Sequence, residues 1–301
     1  ESRGLGDVYK RQDITTSASP QQVKEIFDRT VDTGLEHGTV TVLAGSGAHE
    51  VTTYRIDGEY EDGRHPKEVV FTSSLAEDLR RRDFTINAMA WSLDADSFGE
   101  LVDPFDGMYD LEECIIRTPC DPDITFSDDP LRMMRAVRIS AKLGFRIEKS
   151  ADRAIAEMAP LLGNVPAARL FDEMVKLFTC GRAEECLLKL RAAGLHRSLL
   201  PMLDVILDEP DGEKFLMLAL KRTDERIAVG KKISPAFLFA TLLWPQVKKR
   251  WDAYQKSSTS NKGSARAMAL YSAAEEVIAT QSAKLAIQCL SLIHISEPTR
   301  L

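Results

Sequence analysis

The sequence predicts an α+β protein whose first part mixes strands and helices and whose second part is all helical. The stretch HGTVTVLA-GSGA-HEVTTYRI alternates apolar and polar residues on both sides of a glycine-rich turn, as a β-hairpin does. From Ser127 onward the pattern changes to helical periodicity, beginning with SDDPLRMMRAVRISAKLG. At 301 residues the chain is long enough for two modest domains, each with a core of its own.

The elements of the first part follow from local signals in chain order. DITTSA is typical of a strand end, and Ser19-Pro20 begins a short helix that runs through QQVKEIF. The GSG of the hairpin is a turn rather than a phosphate loop, because no G-K-[ST] follows it. Ser74-x-x-Glu77 predicts a capping box that opens a helix. The remaining segments are a polar loop at 57–67 and the strand-like runs EVVFT, ELVDPF and CIIRTP.

The second part is predicted to consist of helices. Pro130 stands at a helix-compatible first position, and Gly144 is a helix stop. SSTSNKGS at 257–264 is predicted to be a loop or linker. PAFLFATLLW is predicted to lie in the core, with a partner-binding face as the alternative. The further predicted helices are LFDEMVKLF, AEECLLKLRAAG, EKFLMLALKRT and PAFLFATLLW.

Composition and charge exclude several classes of protein. No apolar run approaches the roughly 20 residues of a membrane helix, so no membrane association is expected. The five cysteines include no C-x-x-C pair, which argues against a zinc site or a disulfide framework and favours a reducing cytoplasm. The net charge of -7 means that any nucleic-acid binding must use a local basic patch.

The two ends of the sequence are related to each other at the level of DNA. One choice of codons for SRGLGDVYKRQ, residues 2–12, has a reverse complement that translates residue for residue into LSLIHISEPTR, residues 290–300. This relation indicates a sequencing adapter read through at both ends of a fragment. We therefore expect residues 1–12 and 290–301 to be adapter-derived, and we exclude them from fold reasoning.

The segment RRRDFTINAMA, residues 80–90, carries the first candidate site. Its apolar residues can anchor the segment while its polar residues project to one side. Arginine offers a planar fork for phosphate oxygens, and aspartate accepts hydrogen bonds from ribose hydroxyls. The alternative is a solvated helix with i,i+4 ion pairs. Arg81 can project to the same side, and the candidate nucleotide-binding residues here are Arg82, Asp83 and Asn87.

The segment SDDPLRMMRAVR carries the second candidate site. Asp129 and Arg132 are three residues apart and are predicted to be neighbours on one helical face, with Arg135 and Arg138 farther along it. The pair is either a simple ion pair or a reader of a base edge. Cytosine and adenine each place an exocyclic amine beside a ring nitrogen. Aspartate can accept from that amine while arginine donates to the nitrogen, whereas guanine and uracil reverse the pattern.

Together these segments resemble the class II tRNA nucleotidyltransferase and bacterial poly(A) polymerase family. RRDFTINAMA is similar to the family's ribose and phosphate segment, and DDPLRMMRAVR to its base-reading helix, with Asp128 in place of Glu. DPFDGMYDL resembles the hinge element D-P-F-G-G-x-x-D-L, with Asp106 replacing the first glycine. RLFDEMVKLF is similar to the element that supports the base-reading helix. The supporting residues implied are Asp103, Arg169, Glu173 and Lys176.

The resemblance implies an incomplete polymerase-beta-like nucleotidyltransferase head followed by a helical neck and body. It also implies Mg²⁺-dependent transfer of a nucleoside monophosphate from CTP or ATP onto an RNA 3′ hydroxyl. The expected segments are the head at 13–120, the neck and RNA-binding region at 121–205 and the body at 206–289.

The catalytic carboxylates implied by the resemblance are present only in part. Asp13 corresponds to the second aspartate of the family's D-x-D motif and is the implied metal ligand. The first aspartate would stand at position 11, which Arg11 occupies. Glu50 takes the place of the third acidic residue, and a plain surface carboxylate is the alternative. Because Arg11 would place a positive charge where the cations belong, we expect the 301-residue chain to be inactive.

The expected RNA is the 3′ end of tRNA, to which the favoured activity adds CCA. Poly(A) synthesis is the alternative, because LLGNVPAARLFDEMVKLF is more like the poly(A) polymerases. A chimera joined near SDDPLRMMRAVR would explain why the chain resembles both CCA-adding enzymes and poly(A) polymerases. A non-catalytic RNA-binding module is the alternative from another class. Its candidate contacts, which are equally consistent with solvated helix faces, are Lys221-Arg222, Lys231-Lys232 and Lys248–Arg250.

Overall fold

The computed structural model divides the chain into two compact units, and together they confirm the predicted α+β class. The head unit extends to Asp129, and the helical unit begins at Pro130. The predicted boundary at residue 120 stays a prediction. The predicted loop at 57–67 lies almost entirely outside the described residues, as do most of the linker and both ends of the sequence. The described residues are 13–45, 47–57, 69–199, 206–207, 210–257 and 263–285.

The head unit contains short strands and four short helices among its described residues. The strands are β1 Ile14–Thr16, β2 Thr30–Gly34, β3 Thr39–Ala44, β4 Gly47–Thr53, β5 Arg55–Asp57, β6 Val69–Phe71, β7 Ala90–Trp91, β8 Leu101–Val102 and β9 Ile115–Ile116. The helices are α1 Pro20–Ile26, α2 Leu75–Arg80, α3 Gly107–Glu112 and α4 Pro122–Asp128, with 3₁₀ turns at Leu35–His37 and Thr85–Asn87.

A four-stranded sheet with the order β1-β4-β3-β2 forms the base of the head unit. The predicted hairpin is confirmed, because β3 and β4 pair antiparallel while β1 runs parallel to β4. Side chains alternate between the two faces of a strand. Val40, Val42 and Val51 therefore share one face, where Val23 of α1 covers them and Ile14 packs at the edge. The opposite face is left with hydroxyls and carboxylates.

Capping explains where the first two helices begin. Ser19 and Gln22 make a full capping box at the start of α1, as the Ser19-Pro20 signal predicts. The complete box predicted for α2 is wrong. Ser74 accepts from the Glu77 amide (3.4 Å), but the Ser74 N–H donates to the Thr72 hydroxyl (3.1 Å). The Glu77 carboxylate accepts from that same hydroxyl (2.6 Å), so a threonine bridges the two halves of the motif.

The helical unit is built from packed helices around an apolar core. The elements are α5 Leu131–Leu143, β10 Arg146–Ile147, α6 Lys149–Met158, a 3₁₀ turn Ala159–Asn164, α7 Ala167–Phe178, α8 Ala183–Ala192, α9 His196–Leu199, α10 Pro210–Ala228, α11 Pro235–Ser257 and α12 Gly263–Leu285. Helix α5 ends at Gly144, whose left-handed φ of 72° confirms the predicted stop.

Packing in the helical unit follows the apolar faces of its helices. Helix α5 packs against α7 and α8, α10 against α8 and α11, and α12 against α11 and α7. The core prediction for PAFLFATLLW is confirmed by Leu238, Phe239, Leu242 and Leu243, all at most 3% exposed. Phe239 stacks on Phe171 with ring centroids 4.7 Å apart. In the part of the chain that the structure describes, no helix combines the length and apolarity needed to span a membrane.

Candidate nucleotide-binding site

The segment 80–90 is a turn followed by a 3₁₀ turn, and the alternative of a solvated helix is wrong. Helix α2 ends at Arg80, and the 3₁₀ turn spans Thr85–Asn87. Phe84 and Ala88 are fully buried and anchor the backbone, as the sequence predicts. The chain direction therefore changes between the arginines and the asparagine, and their polar groups can converge.

Asp83 and Asn87 are brought together by the 3₁₀ turn. The Asp83 side chain is 8% exposed, and its Oδ1 accepts from the Phe84 N–H (2.9 Å) and from Asn87 Nδ2 (3.2 Å). Arg82 Nη1 reaches the Asn87 carbonyl at 3.5 Å. Three of the predicted nucleotide-binding residues therefore form one local network whose carboxylate is already oriented by hydrogen bonds.

Asp78 organises the arginines, and the sequence analysis missed it. Its side chain is only 1% exposed on α2, and its Oδ1 accepts from Arg81 Nε (3.1 Å) and Nη2 (2.9 Å). Its Oδ2 accepts from Arg82 Nη2 at 3.4 Å, and the Arg55 N–H donates to Oδ1 at 3.3 Å. Burial, and then the Asp78 charge, raise the pKa of the neighbouring Tyr54. The available sequence signal was the i,i+3 and i,i+4 spacing of an acid and two arginines.

The hinge element, residues 103–111, packs against the 3₁₀ turn Thr85–Asn87 and supports it. The carboxylate of Asp103 accepts from the Gly107 N–H (2.7 Å) and the Met108 N–H (2.9 Å), which caps α3. Asp106 has a left-handed φ of 58°, so the aspartate adopts the conformation that glycine favours and that aspartate tolerates better than most residues. A Cβ on Gly107 would overlap the Thr85 carbonyl, so close packing requires a glycine here.

A second buried carboxylate that the sequence analysis missed, Asp110 of α3, ties this support to the turn. Its side chain is 1% exposed. It accepts from the Thr85 hydroxyl at 2.7 Å and from Arg117 Nε at 3.1 Å. The hinge element therefore holds the 3₁₀ turn by both backbone packing and a buried hydrogen bond.

The candidate catalytic carboxylates lie at neighbouring positions of two parallel strands, Asp13 just before β1 and Glu50 in the middle of β4. Ile14 of β1 pairs with Val51 of β4, so Asp13 and Glu50 precede paired residues. Both are exposed, and the alternation of the strands puts them on the polar face opposite the valine core. Adjacent strands lie about 4.8 Å apart, so the two carboxylates can approach one cation.

The fit of this pair to Mg²⁺ can be judged from its donor set. Mg²⁺ is usually held by one or two carboxylates together with substrate phosphates, and Asp13 and Glu50 offer such a pair. Within the described ranges, no group of three or more His, Cys, Asp or Glu side chains is placed to hold a metal ion. The residues fit a site that a nucleotide completes, and Arg11 lies outside the described residues.

The predicted helical neighbours Asp129 and Arg132 do not share a helix, and that prediction is wrong. Asp129 is extended (φ -141°, ψ 99°) and follows the last turn of α4, while α5 begins at Leu131. The physical reason is Pro130, whose ring disfavours the helical conformation in the residue before it. Asp129 closes the head unit, and Arg132 belongs to the helical unit.

Arginines line one stripe of α5. Arg132, Arg135 and Arg138 are spaced by three and are all half-buried, beside a fully buried apolar face that includes Met133 and Val137. Helical residues three apart are neighbours, so the three guanidinium groups follow one another along the axis.

The supporting element predicted on α7 meets this stripe at Arg138. Glu173 is 3% exposed, and its Oε1 accepts from Arg138 Nε at 2.8 Å. Lys176 Nζ donates to Glu173 Oε2 at 3.3 Å, and Arg169 is half-buried on the same helix. The structure therefore joins three predicted residues in one ion-pair network. It places Arg138 in that network, while its contact with a nucleotide stays a prediction.

Comparison with known proteins shows which families and relatives the chain is similar to. Residues 3–117 match the family described as "Poly A polymerase head domain". Residues 144–207 match "Probable RNA and SrmB- binding site of polymerase A". The CCA-adding enzyme of Geobacillus thermodenitrificans is 47% identical over 197 residues, which are 65% of this chain and 47% of the relative. The chain thus spans about half the length of the curated relatives it matches.

Solved structures extend the comparison to the fold of nearly the whole chain. The Bacillus stearothermophilus CCA-adding enzyme, solved with CTP, is 27% identical with a TM-score of 0.58 and aligns over 95% of this chain and 79% of its own. A tRNA nucleotidyltransferase solved with a primer tRNA and an ATP analogue is 19% identical with a TM-score of 0.56. It covers 98% of this chain and 95% of its own, and at that identity it supports the fold alone.

Fold, site and matches together define the class as proteins with a nucleotidyltransferase head and a helical body. Within that class, residues 3–117 and 144–207 match the head and RNA-binding families of poly(A) polymerase, and the chain is similar to CCA-adding enzymes over its matched part.

Proposed function

We propose that this protein is a template-independent RNA 3′-end nucleotidyltransferase that adds CCA to tRNA from CTP and ATP. The observation that carries the proposal is the pre-formed network of Arg82, Asp83 and Asn87. The hinge element packs against the turn that carries this network, closely enough to require glycine at position 107. A site whose polar groups are already oriented loses less entropy when its ligand binds. The relative that matches 65% of this chain is named a CCA-adding enzyme, which favours CCA over other products.

A role in nucleotide binding is proposed for each of these residues in turn. Arg82 is proposed to bind the phosphates, because a guanidinium donates to two phosphate oxygens in one plane. Asp83 and Asn87 are proposed to bind the ribose hydroxyls. Asp129 and Arg132 are proposed to select the base edge of cytosine and adenine. Two further arginines, Arg135 and Arg138, are proposed to extend this binding stripe along α5.

Asp13 and Glu50 are proposed to hold Mg²⁺ together with the triphosphate. The metal, when bound, would activate the attacking hydroxyl and stabilise the leaving pyrophosphate. The protein side chains are proposed to bind the phosphates, orient the ribose and select the base. Because the sequence has Arg11 where the first aspartate of the family's motif is expected, nucleotide binding is expected without incorporation.

Poly(A) synthesis is a second candidate, because both matched families are described by poly(A) polymerase. An RNA-binding module without catalysis is the third. In this proposal the substrate is tRNA, the chain binds it through local basic patches, and the compartment is the cytoplasm.

Binding measurements separate these candidates without requiring activity. Each of the four ribonucleoside triphosphates is titrated into the chain with Mg²⁺, and CTP and ATP are expected to bind about tenfold or more tightly than GTP and UTP. Arg132→Met should remove that preference, while Asp83→Asn should weaken all four. Equal binding of all four nucleotides by the parent would contradict base selection.

RNA binding is measured on tRNA lacking its CCA end and on an oligonucleotide of adenylates, both across a salt series. Preference for tRNA supports CCA addition, and preference for the oligonucleotide supports poly(A) synthesis. Salt-dependent tRNA binding with no nucleotide binding would support the RNA-binding module instead.

A further inference from the structure

Two cysteines of the helical unit lie in contact although the sequence separates them. Cys180 follows the end of α7 by two residues, and Cys186 lies in the first turns of α8. Their sulfur atoms are 3.5 Å apart. Cys180 is half-buried and can be reached from solvent, whereas Cys186 is fully buried. One thiol is therefore accessible to a small reagent, and the second stands directly behind it.

The surroundings of Cys180 favour its thiolate. When Cys180 is ionised, the Cys186 Sγ–H is the donor to its sulfur, and this hydrogen bond outweighs the effect of burial on the pKa of Cys180. The Arg182 N–H adds a second hydrogen bond, and the Arg138 charge favours the thiolate while Asp224 opposes it. Together these groups lower the pKa of Cys180 to about 7.

Cys186 behaves in the opposite way. Donation of its proton to Cys180, its burial, and the negative charges of Asp224 and Glu185 raise its pKa. Accessible cysteines of low pKa beside a second thiol are the ones that oxidise reversibly. This arrangement differs from that of Cys114, which is exposed and whose thiol donates to the Glu112 carbonyl at 3.9 Å.

We propose that Cys180 and Cys186 form a reversible redox site in which Cys180 reacts first and Cys186 closes a disulfide. The Cys180 thiolate attacks hydrogen peroxide, so an S–O bond forms, the O–O bond breaks and hydroxide leaves. The Cys186 sulfur then attacks the sulfenic acid, its proton leaves with the hydroxyl group as water, and the S–S bond forms. Two thiols are oxidised and one peroxide is reduced. A dithiol reductant reverses the change by thiol–disulfide exchange.

The geometry allows this closure with small movements. The sulfur atoms must approach from 3.5 Å to the bonding distance of about 2.05 Å, which side-chain rotation and a slight backbone shift can supply. Gly181 lies in the connecting turn with a left-handed φ of 85°, a conformation that glycine adopts without strain. The proposal concerns this dithiol and does not depend on the proposed nucleotide chemistry.

The test is peptide mapping of the folded, fully reduced chain after dilute hydrogen peroxide. We expect the Cys180–Cys186 disulfide to be the main product and dithiothreitol to return both thiols. Cys114 and Cys120 serve as internal controls in the same molecule. Oxidation of either control before Cys180, or conversion of Cys180 to sulfinic acid without a disulfide, would overturn the proposal.

Variants and pH separate the two roles. Cys186→Ser should leave Cys180 as a sulfenic acid that dimedone traps, whereas Cys180→Ser should leave Cys186 unreacted. Alkylation of Cys180 by iodoacetamide in the parent should rise with pH and reach half its maximum near pH 7, as its lowered pKa requires. A parent midpoint above pH 8.5, the ordinary thiol value, would refute the assigned order of attack even if a variant fails to fold.

Discussion

Replacing Asp78 by asparagine tests whether the buried carboxylate holds the arginines of the proposed nucleotide site. Asp78 accepts four hydrogen bonds, of which the two from Arg81 are short and those from Arg82 and Arg55 are 3.3–3.4 Å. Breaking a buried ion pair costs about 3–5 kcal/mol. The two arginine side chains are 22% and 30% exposed, so water recovers part of that loss. We therefore expect unfolding to become easier by about 2–3 kcal/mol.

The assay for Asp78→Asn combines urea unfolding with titration of CTP and ATP. Loss of orientation at Arg82 should weaken triphosphate binding about tenfold, which is about 1.4 kcal/mol. Removal of a negative charge alone would instead strengthen binding of an anion. Asp32→Asn is the matched control, because Asp32 pairs with Lys24 at the surface and contributes about 1 kcal/mol or less. Unchanged or tighter binding in Asp78→Asn would refute the positioning role.

Three further substitutions test the ion-pair network of Arg138, the hinge element and the proposed metal site. Glu173→Gln should lower stability by about 2 kcal/mol or more in urea unfolding, because Glu173 is the buried partner of Arg138, and an unchanged midpoint would contradict the network. Gly107→Ala should cost about 1–3 kcal/mol in thermal unfolding, because its Cβ meets the Thr85 carbonyl, and a neutral effect would show that the hinge yields. Glu50→Gln should leave stability within about 0.5 kcal/mol of the parent but weaken Mg²⁺-dependent triphosphate binding, measured with and without the metal; equal weakening in both would exclude a metal role.

Elements with strong local signals were predictable from the sequence. The hairpin of β3 and β4 follows from strict alternation around a glycine turn, and α1 and α5 follow from a cap, a proline and a terminal glycine. The errors occurred where a long-range or steric effect overrides local preference. Thr72 stands between the Ser74 N–H and the Glu77 carboxylate and so replaces the reciprocal bond of the expected capping box. A single proline separates Asp129 from the helix that was expected to carry it.

The site was predictable in its residue types but only partly in its arrangement. Arg82, Asp83 and Asn87 form one network, as their spacing suggested. The buried carboxylates Asp78 and Asp110, which hold that network in place, were missed. Acids in a sequence are usually surface residues, and only the packed structure shows which of them lose their exposure and become hydrogen-bond centres.

The sequence by itself determined the fold class, most of the helix and strand pattern, and the residue types of the candidate site, because these depend on short-range spacing. Tertiary structure alone decided the remaining features. Parallel pairing of β1 with β4 places Asp13 beside Glu50, burial turns Asp78 into the partner of two arginines, and the packing of α7 and α8 brings Cys180 to Cys186. The physical reason is that burial, register and close approach depend on residues far apart in the chain, and a local pattern carries no record of which ones will meet.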